Sequence, residues 1–156
     1  MSIPFKAILI GGLIGGALDL TFAVSYAAMQ DFPPVKLLQT IASGAFGQSA
    51  FDGGPPMAVA GFAIHFLLSL LWAALFAFLT SRLALARRQP IVSGAVFGVL
   101  VFLAMRCVLL PLSAYPRPVS FSMPGSFYDL LSHMFLFGVP IALAYRRYAT
   151  SAVQSS

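Results

Sequence analysis

The chain is built from long apolar runs separated by short polar breaks. Four runs are long enough to cross a bilayer as helices: about Ala7 to Met29, Met57 to Thr80, Ile91 to Leu110 and Phe127 to Tyr145. A hydrocarbon core of ~30 Å needs roughly 20 helical residues. The fourth run is the shortest and the most polar. Between the first two, Val35, Leu38, Ile41, Ala45 and Phe46 recur at three- to four-residue spacing, with Gln39, Thr40 and Ser43 between them. This predicts a short amphipathic helix beginning after Pro33-Pro34 and ending at Asp52-Gly53-Gly54-Pro55-Pro56. It is expected to lie flat on the membrane face or to fold over the mouth of the helices. Residues 111–125 contain Pro111, Pro116, Pro118 and Pro124, too many for a helix. The predicted fold is therefore an all-α membrane protein. It has a four-transmembrane-helix bundle and an amphipathic helix in the first outer loop. Residues 1–150 form one domain, and 151–156 read as a disordered tail.

Composition supports lipid as the solvent. Apolar residues make up 60% of the chain and charged residues only 8%, against about 25% charged in globular domains. Glu is absent. The net charge of +5 does not point to nucleic acid, because the cations flank apolar runs. Lys6, Arg82, Arg87, Arg88, Arg146 and Arg147 fall on one side of the membrane, and Lys36 and Arg117 on the other. The cation-rich side is retained in the cytoplasm, so both termini are expected inside. The first run has a Lys before it and Ser25-Tyr26-Ala27 near its end, loosely like a signal peptide. Its length and the mid-run Asp19 favour a retained helix. The single Cys107 rules out an intramolecular disulfide.

Ionisable residues inside a bilayer cost a few kcal/mol each and usually face protein or a water-filled cavity. Each span supplies at least one: Asp19, His65, Arg106, and Asp129 with His133. At 1.5 Å per residue from the outer helix ends, Asp19 lies ~15 Å deep, His65 ~12 Å, His133 ~9 Å and Arg106 ~7 Å, with Asp129 nearest the surface. All five converge on the outer half. Asp19 shares a face with Gly12, Gly15 and Gly16, which form overlapping small-xxx-small patterns suited to close helix contact; Gly94-xxx-Gly98 is a counterpart on the third span. His65 lies on the line of Gly61, Ser69 and Trp72. Asp129 and His133 are neighbours at i and i+4, with Ser126 on the same stripe.

Each residue also has a structural role available. Arg106 can snorkel to the headgroups or form an architectural ion pair with Asp19. Asp129 can cap the fourth helix. The histidines can tie helices together as neutral imidazoles. Ser69, Ser113 and Ser132 read as ordinary small polar residues.

Leu38-Gln39-Thr40-Ile41-Ala42-Ser43-Gly44, Ala50-Phe51-Asp52-Gly53-Gly54, Leu110-Pro111-Leu112-Ser113-Ala114 and His133-Met134 followed by Gly138-Val139-Pro140-Ile141-Ala142 resemble segments of an uncharacterised family of small four-helix bacterial inner-membrane proteins. The resemblance spans nearly the whole chain and implies a bacterial cytoplasmic-membrane setting without a chemistry.

Two readings from different classes follow. The first is a small transport or permeation protein, or a subunit of one. Asp19, His65 and His133 would handle a proton or cation, and Arg106 would bind an anion or neutralise Asp19. Four helices are few for a transporter, so a homodimer is expected. The second is an interaction or assembly protein whose buried polar groups fix helix packing, with a membrane partner. A third is a haem protein ligated by His65 and His133. A divalent-metal site from the two histidines with Asp19 or Asp129 is opposed by Arg106. The sequence itself calls for no cofactor or metal. It contains no His-Glu-x-x-His, Gly-x-Ser-x-Gly or phosphate-loop motif that would mark an enzyme.

Overall fold

The computed structural model describes residues 5–82 and 88–151, with side chains described as far as Tyr148. Among the described residues there are five helices and no strand. Helix α1 spans Phe5–Ala28 and α2 Pro34–Phe46, followed by a 3-10 turn at Gly47–Phe51. Helix α3 spans Gly54–Arg82, α4 Pro90–Leu112 and α5 Gly125–Tyr148, the last continuing to Ser151. Residues 83–87, between α3 and α4, lie outside the described residues. So does the expected tail, apart from Ser151, which closes α5.

Helices α1, α3, α4 and α5 are long and apolar enough to cross a membrane. Only 22–39% of their most apolar windows is buried inside the protein. The remainder displays Ile14, Leu67, Leu71, Val96 and Leu100, each at least half exposed. A surface of that kind is stable against hydrocarbon and unstable against water.

Without a hydrophobic drive between helices in lipid, close approach of backbones must hold them together. Helix α1 does this on two faces about 100° apart. Gly12 and Gly16 abut Ser69, Leu70 and Phe66 of α3, while Gly11 and Gly15 abut Phe137, Ile141 and Ala144 of α5. The overlapping patterns thus serve different neighbours. Gly94 and Gly98 do not meet α1, as the sequence pattern had implied. They pack on α5, where a Cβ on Gly98 would lie 2.0 Å from the carbonyl oxygen of His133. Gly138 returns the contact against Gly94.

Two of the spans contain a π-helical turn, Met105–Leu109 in α4 and His133–Gly138 in α5. Each lies just before a proline within its helix, Pro111 and Pro140. Proline offers no N–H and its ring crowds the carbonyl four residues back. Widening the preceding turn accommodates this in a span that cannot call on water. Pro111 is therefore kept inside α4, which ends at Leu112, and only residues 113–124 form the irregular connection.

Helix α2 packs on α3, but not through its apolar stripe. Its buried residues are Gln39, Ala42 and Ser43, while Val35 and Phe46 are exposed. Small and polar residues allow the approach: Gly61 of α3 sits against the Leu38 carbonyl, and Gln39 Nε2 donates to the Gly54 carbonyl at 3.0 Å. The amphipathic pattern is present, and its faces are inverted relative to a helix resting on a soluble core.

At the α2 end, residues 113–124 are tied down over the helices. Ala114 N–H donates to the Gly44 carbonyl at 3.0 Å, and the Arg117 guanidinium lies 5.0 Å from the Phe51 ring centroid. The opposite end is filled by Ala7, Ala73, Phe76, Ala77, Phe97 and Tyr145. Phe76 meets Phe97 and Tyr145 edge-on at 5.0 and 5.9 Å. One end is packed with rings, and the other holds a cavity.

Candidate functional site

The cavity of about 420 Å³ lies beneath α2 and the 113–124 connection, and Asp19, His65, Arg106, Asp129 and His133 all line it. The five ionisable residues singled out by sequence therefore share one space. A smaller recess of about 60 Å³ continues from the same groups and is lined by Asp19, His65, His133, Ser69, Trp72 and Phe137.

The polar groups form two layers. Nearer the mouth, Arg106 donates to Asp129 Oδ2 from Nη2 at 2.9 Å and from Nε at 3.3 Å. Its Nη1 donates to the Ser120 carbonyl at 2.6 Å. The guanidinium also lies 5.2 Å from the Phe102 ring centroid and 5.5 Å from that of Phe121. The two charged side chains remain 22% and 37% exposed, so the pair is partly open. Arg106 is thus held inward by Asp129 and does not snorkel, and it makes no ion pair with Asp19. Asp129 is no helix cap either: Pro124 occupies that position with no side-chain cap, and the carboxylate faces Arg106 and His133.

Deeper in, Asp19 is only 9% exposed. Its Oδ1 accepts from the Ser132 hydroxyl at 2.7 Å and lies 3.8 Å from His133 Nδ1. His133 Nδ1 faces the Asp129 carbonyl at 2.9 Å and Asp129 Oδ1 at 3.2 Å. A carbonyl can only accept, so this nitrogen carries a proton. The ring therefore bridges the two carboxylates, one from α1 and one from its own helix. The π turn beginning at His133 sets where the ring falls, and Gly98 lets α4 approach its backbone. On the other wall, His65 Nε2 donates to the Gly16 carbonyl at 2.9 Å, and Ser69 Oγ donates to the Gly12 carbonyl at 2.5 Å. These two bonds repeat at four-residue spacing on both helices and fix the register of α3 against α1.

Sequence reasoning passed over Ser132 and Ser69 as ordinary small residues. Both make buried bonds at the site. The available signal was their helical spacing: Ser132 follows Asp129 by three residues, and Ser69 follows His65 by four. Ser120, in an irregular connection, carried no periodic signal. Ser126 shares the Asp129 stripe but is buried, its hydroxyl without a partner among the described residues, and it is not among the residues lining the cavity.

With both carboxylates ionised and both imidazoles neutral, Asp19 and Asp129 outnumber the single Arg106. One negative charge is left to be balanced in a partly buried site. The arrangement can hold a second proton on His133, whose Nδ1–H faces both carboxylates, or admit a cation beside Asp19. Among the described residues, no group of three or more His, Cys, Asp or Glu is gathered to hold a metal ion.

Comparison with known proteins adds a family without a chemistry. Residues 4–156 match a family of unknown function, DUF6789. No curated protein and no solved structure matches the chain. A match over nearly the full length, covering all five helices and every residue of the cavity, means that the chain belongs to this family of unknown function, DUF6789.

Proposed function

We propose that the protein is a small membrane transport or permeation protein, or a subunit of one, that exchanges a cation against a proton at the cavity. The observation that carries this reading is the unequal charge count around one shared, partly open space: two carboxylates, one guanidinium and two imidazoles. An unbalanced charge away from water must acquire a partner. A proton on His133 and a cation beside Asp19 each supply one positive charge, so binding of one favours release of the other. The charged or titratable groups facing His133 are Asp19 from α1, His65 from α3, Arg106 from α4 and Asp129 from α5. Helix α2 contributes none, since the Lys36 ammonium donates to the Phe51 carbonyl. An anion-binding role for Arg106 is dropped from the reading, because Asp129 already balances its charge and three of its five N–H groups engage Asp129 and Ser120.

The setting belongs to the same proposal. The protein would lie in the bacterial cytoplasmic membrane with both termini inside, so that the cavity opens outward. The opposite end is packed with Phe76, Phe97 and Tyr145, so exchange across the membrane would use a second conformation or a second copy of the chain. A homodimer remains the natural arrangement for so few spans.

One specific observation favours the assembly reading: Asp19, His65, Arg106 and Asp129 all have protein partners. Satisfied networks also fix helix packing. Proteoliposomes containing a pH-sensitive dye separate the two. Transport predicts cation-driven proton flux that Asp19→Asn abolishes while the variant still elutes as a folded species. Absence of flux from the wild type, together with loss of folded material in Asp19→Asn, would instead support assembly.

A further inference from the structure

Resting on the cation-exchange reading above, we infer that the cation is a primary ammonium group on a small apolar body. The inference comes from counting donors and acceptors on the cavity wall. Arg106 donates to Asp129 and Ser120, the Ser132 hydroxyl to Asp19, and the Thr40 hydroxyl to the Lys36 carbonyl. In the recess, Ser69 donates to Gly12. Two of the five Arg106 N–H groups and the Tyr115 and Ser120 hydroxyls remain on the wall of the larger cavity, whereas in the recess, with His65, Ser69 and His133 engaged, the Trp72 indole N–H is the one side-chain donor left among the described residues.

Acceptors, by contrast, remain. A carboxylate offers about four lone-pair sites, and Asp19 uses Oδ1 for Ser132 while Oδ2 is still available. Because His65 Nε2 faces a carbonyl it carries the hydrogen, which makes Nδ1 of the neutral ring an acceptor. Once His133 has released its exchangeable proton, Nδ1 keeps the hydrogen shared with the Asp129 carbonyl, and Nε2 becomes the third acceptor. An –NH₃⁺ group has three donors and one positive charge. It answers the donor shortage and the charge imbalance together.

Shape narrows the class. The recess of about 60 Å³ joins Asp19, His65 and His133 to the aromatic rings of Trp72 and Phe137. About 10–15 Å³ of such cavity space is enough for one water molecule, so the recess has room for an ammonium head. Aromatic faces attract such cations. The larger cavity then offers Leu20, Leu37, Ile41, Leu68 and Leu109 to an attached apolar chain. A quaternary ammonium has no N–H to satisfy the acceptors. Hard metal cations prefer oxygen ligands over imidazole.

Trp72 is the single tryptophan of the chain and lines the recess, so its fluorescence reads occupancy directly. The full-length protein in detergent is titrated at constant ionic strength with butylammonium, tetramethylammonium, sodium and butyrate salts. The expected result is a saturable response to butylammonium, at least tenfold tighter than to sodium or tetramethylammonium. The comparison is made within the wild type and so does not depend on a variant folding. Asp19→Asn should weaken butylammonium at least tenfold, whereas Val96→Ala, on the lipid-facing surface, should leave it unchanged. Equal or tighter binding of sodium or tetramethylammonium overturns the ammonium assignment and leaves cation exchange standing. A response to butyrate alone, or to none of the four, overturns the assignment; the liposome flux then decides whether cation exchange falls with it.

Discussion

Gly98→Ala is the most demanding perturbation of this account, because one methyl group meets backbone and site together. A Cβ at position 98 would lie 2.0 Å from the His133 carbonyl oxygen, 2.5 Å from its carbon and 2.6 Å from Met134 Cα. No rotamer relieves such contacts, since the atoms struck belong to the main chain. Helices α4 and α5 must separate locally by more than an ångström. Overpacking costs about 1–3 kcal/mol, and a clash with backbone belongs at the upper end. A loss of about 3 kcal/mol corresponds to a melting temperature lower by roughly 6–12 °C in a chain of this size. His133 would also be carried away from Asp19 and Asp129, to which it now lies 3.8 and 3.2 Å. Cation binding should therefore fall further than stability at temperatures where the variant is still folded. Thermal unfolding in detergent, followed by loss of the monodisperse peak, measures the first effect, and Trp72 fluorescence the second. Val96→Ala serves as control because Val96 faces outward. Unchanged melting and unchanged binding in Gly98→Ala would refute the proposed close contact between α4 and α5 and its role in placing His133.

Other outcomes follow from the same geometry. Arg106→Gln leaves Asp129 without its cation in a partly dry site and should destabilise the protein by about 2–3 kcal/mol, below the 3–5 kcal/mol typical of fully buried pairs. Adding Asp129→Asn should recover most of that loss, and a double-mutant cycle showing simple additivity would contradict the pair. Ser69→Ala should cost about 0.6–1.7 kcal/mol through the α1–α3 register bond, seen as a small drop in melting temperature; no drop would remove that bond from the account. With Cys107 replaced by Ala, Lys36→Cys should react with a membrane-impermeant maleimide on intact cells and Arg88→Cys only after lysis. The reverse pattern would invert the proposed orientation.

The four spans were legible because lipid demands long unbroken apolar runs and leaves little room for ambiguity. The convergence of Asp19, His65, Arg106, Asp129 and His133 was also legible, from depth and from the cost of charge in hydrocarbon. Pairing was not. Asp19 and Arg106 looked complementary by charge, yet the π turns before Pro111 and Pro140 change which direction Arg106 and His133 face. A regular 100° projection carries no such offset. The buried face of α2 was hidden for another reason. Apolar periodicity identifies the inward face only when water lies outside, and here Gln39, Ala42 and Ser43 form the tight contact. Ser132 and Ser69 were invisible as single residues because serine is common in such helices; only their partners distinguish them.

Cation-for-proton exchange at the cavity makes one direct claim, which a pH-indicator dye can read in a weakly buffered solution of the purified protein. Sodium, potassium and butylammonium chloride are added in turn at constant ionic strength. At least one of them should release about one proton per chain from the wild type, by linkage between the two binding events. His133→Gln should release none. No release from the wild type with any of the three, or equal release from His133→Gln, would contradict it.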